Sequence, residues 1–343
     1  MKKYYVLFVV FGFMQVLQGF GMPYVFTASE FATPPSRIIR VCCSFGSDLQ
    51  LWGIPGVKVT DIISADNLGK HHYLGSDSEG NGIIYTRRGG FIDLAHLRDQ
   101  ADWTAYLYSH VLQSRKTGKI ILDLGHEGGK KTLSLTIPPD IDSVDALRIS
   151  GRIAYDLSVW HEIATWFGAS YLPMVPERYS SFSIEDIYSN LLGVTLGIEA
   201  LKSELPYQQA MTLYIAEMLK ELGAVSTEAD TYAAMESVHN LWWTREKKLP
   251  SRKILLAHEL KPYYTMRPWL IPQQIVAGKQ EYTLQVPQFT SKGEILSDFY
   301  ELRFELNYKF PFRKMFPHRT ARYITQNDFE ILLNLADKQI QHQ

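Results

Sequence analysis

Cysteine is almost missing from this chain of 343 residues: there are two, Cys42 and Cys43, and they are adjacent. Neighbouring residues in a trans chain point their side chains apart, so an ordinary disulfide between them would close a strained ring. A conventional disulfide framework is excluded, and three states stay open: a vicinal disulfide, two buried thiols, or a nucleophile. An excess of charge of either sign is missing too. Lys and Arg number 35 against 36 Asp and Glu, a formal net charge of −1, so there is no overall electrostatic footprint for nucleic acid. No low-complexity tract or internal repeat occurs, and with 46% hydrophobic and 13% aromatic residues the chain has ample material for a core, which excludes disorder. There is no Gly-x-Ser-x-Gly elbow for a hydrolase serine. Gly125 to Lys130 lacks the Gly-Lys-Ser/Thr of a phosphate loop.

Charge is also absent from Tyr4 to Ser29, directly after Lys2 and Lys3, and this stretch holds a dense apolar run from Val6 to Met14. The pattern predicts export, with residues 1–28 a signal peptide or an N-terminal anchor and the rest in the periplasm or cell envelope. Cleavage after Gly21 or Thr27 and retention as a span are both open, because the uncharged stretch is long enough to cross a bilayer. Membrane contact is expected only through this segment, if it is kept.

Residues 30–343 read as one α+β domain, a helical middle (about 146–246) flanked by short strands and hairpins. Its three zones are a mixed 30–140, a helical 145–246, and 250–343 with strands and a terminal helix. Residues 30 to 90 carry loop signals and short β-type runs, Val57 to Ile63 and Gly82 to Thr86. A helix is expected from about Phe91 to Leu112, then a hairpin of Lys119–Leu124 with Thr132–Ile137. Further helices are expected at about 146–167, 184–201, 206–222 and 228–246. Glu301 to Phe310 alternates polar and apolar as a half-buried strand does, and Gln326 to Gln341 reads as the terminal helix.

Two helices carry the residues with chemistry. On the first, Phe91, Leu94, Ala101, Ala105, Tyr108 and Leu112 form a core face, while His96, Asp99, Trp103, Tyr106 and His110 make a second stripe. That stripe fits either a cleft wall or a plain exposed face. On the second, Ile149, Ile153, Leu157, Trp160, Ala164 and Phe167 face the core, and His161 lies in a row of small residues beside Glu162. The pair His161-Glu162 is similar to the opening of the His-Glu-x-x-His helix of thermolysin-like zinc metalloproteases. Downstream, Asp186, Ser189 and Asn190 resemble their Glu-x-x-Ser-Asp segment, so residues 161–190 carry the likeness. It departs at Thr165, where the second histidine should stand, and at Asp186 or Glu185, where the Glu should stand. Ser183 with Asp186 equally fits a capping box. His258-Glu259 starts alike, but Pro262 breaks the turn; His71-His72 could add a ligand from a loop.

Cys42-Cys43-Ser44-Phe45-Gly46, the run from Tyr85 to Asp93 with Arg88, Trp160-His161-Glu162 and Ser181 to Asn190 together resemble an exported bacterial family known only as a domain of unknown function. That likeness implies no activity. The residues themselves support an exported, metal-assisted hydrolase. His96 and His161 would be nitrogen ligands to zinc or another divalent transition metal, Asp99 or Asp186 an oxygen ligand, and Glu162 the base. Glu185, Asn190, Asp93, Arg88, Cys42 and Cys43 are further candidates. The substrate would be a small molecule, a peptide or an envelope component such as a cell-wall fragment or lipid ester. The rivals are a non-catalytic envelope or binding protein that uses these residues as a structural polar network, and a cysteine hydrolase.

Overall fold

The structure, a computed structural model, describes residues 26–35, 40, 44–50, 56, 58–170, 177–246, 265–272 and 280–341. The expected export segment lies outside these residues except for its last three positions. Cys42, Cys43 and His258-Glu259 lie outside them altogether. No helix among the described residues is long and apolar enough to cross a membrane.

The fold is α+β, and its order explains where the chemistry sits. A short hairpin comes first: β1 (Ile83–Thr86) pairs antiparallel with β2 (Gly90–Asp93) in the register Ile83↔Asp93. Gly90 has φ 67, and a Cβ there would lie 2.3 Å from the Trp269 carbonyl oxygen, so only glycine fits the turn. The expected helix at Phe91 therefore begins later. Phe91 and Ile92 are strand residues, and α1 spans Leu94–Thr117. Asp93 ends the strand and caps the helix, its Oδ1 accepting from the amides of Ala95 (2.7 Å) and His96 (3.1 Å).

Helix α1 has neither a cleft wall nor a solvent face over most of its length. His96, Asp99, Trp103 and Tyr106 are buried along with the apolar face, because α2 (Ser143–Trp166) and α3 (Asp186–Lys202) pack against it. Close approach to α3 depends on two glycines: a Cβ on Gly193 would lie 2.0 Å from the Leu97 carbonyl oxygen, and one on Gly197 2.9 Å from Ala101 Cα. Between α1 and α2 runs the hairpin of β3 (Ile120–His126) and β4 (Gly129–Leu135), close to its expected limits. With β7 (Tyr300–Leu306) and β8 (Tyr323–Thr325) it forms one antiparallel sheet, ordered β3-β4-β7-β8. The alternation read from Glu301 holds through Leu306, whose strand buries every second residue.

Trp160 of α2 joins helices to sheet. Its ring stacks on Phe304 at 4.2 Å between centroids and on Phe310 at 5.6 Å, and its Nε1 donates to the Glu127 carbonyl oxygen. The rest is α4 (Tyr207–Leu222), α5 (Glu228–Glu236), β5 (Thr265–Met266) paired with β6 (Leu284–Gln285), α6 (Phe312–Met315) and α7 (Phe329–Gln341). The fifth helix expected to reach residue 246 stops at Glu236. Asn240 takes a left-handed φ of 61, and Trp242 folds back against Phe91 and Trp269. Burying that aromatic outweighs continuing a helix whose last turns would be exposed.

Candidate metal centre

The ends of these elements bring six titratable side chains together. His96 comes from the first turn of α1, Asp93 from its cap, His161 and Glu162 from the last turns of α2, and Asp186 and Glu185 from the start of α3. All six are between 0% and 4% exposed. Donor atoms of His96, His161 and Glu162 lie within 4.8 Å of one another, and so do those of Asp93, His96 and Asp186. The two groups share His96 and no other residue. The expected ligand set is thus divided, with His161 in one group and Asp186 in the other.

Each imidazole is oriented differently. His161 Nδ1 lies 2.6 Å from Glu127 Oε1 in the β3–β4 turn, and Lys131 Nζ holds the other Glu127 oxygen at 2.8 Å. An ionised carboxylate only accepts, so this bond puts the proton on Nδ1 and leaves the Nε2 lone pair as the donor to a metal. His96 Nδ1 instead lies 3.4 Å from Asp93 Oδ2 and 3.6 Å from Asp186 Oδ1. Glu162 is fixed through Oε2, which accepts from the Phe182 amide at 2.7 Å, while Oε1 makes no hydrogen bond. Phe182 is fully buried with φ 54, a costly left-handed conformation for an aromatic residue.

The capping box read at Ser183 is not formed. Both Asp186 oxygens make no hydrogen bond, and Glu185 occupies the cap position without a side-chain cap bond. Burial pushes Asp186 well above the usual carboxylate range, opposed by His96 and reinforced by Glu185, Glu162 and Asp93. Burial likewise raises Glu185 to about 8. Such groups must either hold protons or face a cation, since an unpaired buried charge costs several kcal/mol. Two imidazoles and several carboxylates are a donor set for zinc or a similar divalent ion, so these residues fit a metal.

Other expected residues go elsewhere. Asp99 turns from the cluster to Arg40, 3.2 Å away, in a separate buried network in which Arg40 also binds Glu79 and Asp102. His71 belongs to that network, with Nε2 3.0 Å from Asp102, so it adds nothing to the His96 cluster. Arg88 braces the β1–β2 turn by donating to the carbonyl oxygens of Gln280 and Glu221. Asn190 is buried one turn beyond Asp186 on α3, with its Oδ1 unbonded. Thr165, at the second-histidine position, donates to the His161 carbonyl oxygen. Glu127 was missed. It sits in a glycine-rich turn 34 residues from His161, and nothing in the local pattern distinguishes it from a turn glutamate.

These features define an α+β protein with a buried histidine–carboxylate centre among three packed helices. The chain belongs to the family described as "Protein of unknown function (DUF4056)", which it matches over residues 29–272. No curated protein and no solved structure matches it.

Proposed function

We propose that this is an exported envelope protein that binds zinc or another divalent transition metal through His96, His161 and Glu162 and acts as a metal-assisted hydrolase. One observation carries the reading: two imidazoles and a carboxylate converge within 4.8 Å in the interior, and Glu127 holds His161 in the tautomer a ligand needs. In this reading Glu162 is the third donor through its unbonded Oε1, and not the base that the metalloprotease likeness would make it. A divalent ion on such a set supplies Lewis acidity, which hydrolysis of a peptide, cell-wall fragment or lipid ester requires. Export rests on Lys2-Lys3 and the apolar run after them.

The near-complete burial of the donors favours a second reading, a non-catalytic envelope protein whose centre ties α1, α2 and α3 together. Elemental analysis of the full chain, purified without chelator, tests what both readings share with metal. At least one equivalent of zinc, or another transition metal, is expected, and none would overturn the metal centre. Hydrolysis of a peptide or ester library that disappears with the metal separates the enzyme from the structural centre. A reporter active only outside the cytoplasm, fused after residue 35, tests export.

A further inference from the structure

A single three-donor metal site leaves three buried carboxylates unexplained. Asp93 Oδ2 and both oxygens of Asp186 make no hydrogen bond, although both residues are fully buried, and Glu185 beside them is 1% exposed. We infer that the centre holds two divalent ions, the second bound by Asp93, His96 and Asp186. This rests on the first ion being present, and its test separates the two.

Geometry is the first support. The separations from His96 Nδ1, 3.4 Å to Asp93 Oδ2 and 3.6 Å to Asp186 Oδ1, are too long for hydrogen bonds. They match the edge of a coordination tetrahedron, roughly 3.3–3.4 Å for ligand bonds of about 2.0–2.1 Å. Asp93 is positioned for this by its other duty: Oδ1 caps α1, which fixes the carboxylate and turns Oδ2 towards His96.

Charge is the second support. Asp93, Glu162, Glu185 and Asp186 bring four buried carboxylates together with two imidazoles. A single divalent ion balances two of them, and two ions bring four positive charges against the four carboxylates and the ring anion of a bridging His96. Asp93 and Asp186 also stand at the N-terminal ends of α1 and α3, where the helix dipole favours an ionised carboxylate. No Lys or Arg is within salt-bridge distance of these four carboxylates among the described residues.

His96 serves both ions in this arrangement. Nδ1 faces the Asp93–Asp186 side, and bridging both ions takes the ring as an imidazolate, its remaining proton passing to solvent as the second ion binds. The second site, one imidazole with two carboxylates, suits zinc or manganese better than a soft ion.

Calorimetric titration of metal-stripped full chain with Zn²⁺, checked by elemental analysis, provides the test. Two equivalents are expected for the parent, one each for Asp186→Asn and His161→Ala, and none for His96→Ala, with folding of each variant verified by circular dichroism. One equivalent in the parent, abolished by His161→Ala and untouched by Asp186→Asn, overturns the second ion and leaves the first standing. No binding at all overturns both. A measurement on the parent alone needs no variant: with Cu²⁺ the paramagnetic resonance signal should rise over the first equivalent and fall over the second, as spins couple through the shared imidazole. A signal that grows in proportion through two equivalents overturns the shared histidine.

Discussion

Glu127 and His161 are 34 residues apart and share a 2.6 Å hydrogen bond, made where the tip of the β3–β4 hairpin meets the last turns of α2. The turn that presents Glu127 depends on Gly128, whose φ of 68 a side chain would oppose and whose added Cβ would meet Phe310 and Ala164 at 3.0–3.2 Å. The sheet thus sets the protonation of a helical histidine.

Glu127→Gln is expected to weaken metal binding about 10- to 100-fold, the usual cost of losing an outer partner of a ligating histidine. The amide still fills the turn, and the Trp160 indole bonds the backbone oxygen, not the side chain, so packing should survive. Competition against a chelator of known affinity, with circular dichroism as the control, measures the loss. Unchanged affinity would mean that His161 does not ligate.

The close crossing of α1 and α3 predicts a contrast between two glycines. Gly193→Ala drives a methyl to within 2.0 Å of the Leu97 carbonyl oxygen, and overpacking of that kind costs about 1–3 kcal/mol or more. Gly125→Ala meets nothing within 4 Å, so only the backbone penalty of φ 77 remains, roughly 1–2 kcal/mol. Urea midpoints of the two variants give the ranking. Because α1 and α3 both carry cluster residues, Gly193→Ala should also weaken metal binding, whereas Gly125→Ala should not.

Much of this fold was legible because its main elements obey simple periodicities. Helix α2 shows its core face at Ile149, Ile153, Leu157 and Trp160, and β7 alternates strictly, so burial decides both. The start of α1 was harder to read. Phe91 extends the helical spacing of Leu94, Ala101 and Ala105 backwards, and only the pairing of β2 with β1, a non-local fact, makes it a strand residue. The second stripe of α1 misled for a related reason: a helix packed on all sides buries its polar residues too, and their partners lie far along the chain. Asp99 finds Arg40 fifty-nine positions away. The candidate centre was partly legible, since His96, His161, Asp186 and Glu162 all lie in it; Glu127 was hidden because its role comes from sheet–helix packing.

The Arg40 network predicts an acid-sensitive contribution to stability. Burial lowers the His71 pKa, so the folded residue stays neutral where the unfolded chain takes up a proton, and stability falls as pH drops below about 6.5. Burial pushes Asp102 upward, but His71 and Arg40 outweigh it; burial likewise opposes the Arg40 bond at Glu79, and both carboxylates end below their usual range. Their contribution is present above about pH 4 and is lost as pH falls through the lowered values. Asp102→Asn should therefore cost about 3 kcal/mol near neutrality, the scale of a broken buried ion pair, and progressively less towards pH 3. Urea midpoints of parent and variant across pH 3–8 check this, and a constant difference would show that Asp102 gains nothing from its charge.

The sharpest test of the first metal site compares two changes on α2. His161→Ala removes a ligand whose Nδ1 already has a partner in Glu127, so the metal-free variant takes one hydrogen-bond donor from that buried carboxylate, a cost of about 1–3 kcal/mol. Metal bound by His96, His161 and Glu162 should go with it. Glu162→Gln is nearly isosteric, and its amide oxygen can still accept from Phe182, so the left-handed turn there should hold. It removes one negative charge from a volume crowded with carboxylates. The metal-free variant should therefore unfold no earlier than the parent, while its affinity for Zn²⁺ falls at least tenfold. A thermal midpoint and a Zn²⁺ titration on each variant decide the matter. If Glu162→Gln unfolds well below the parent and binds Zn²⁺ as the parent does, Glu162 is a structural acceptor for Phe182 and the three-donor site is wrong.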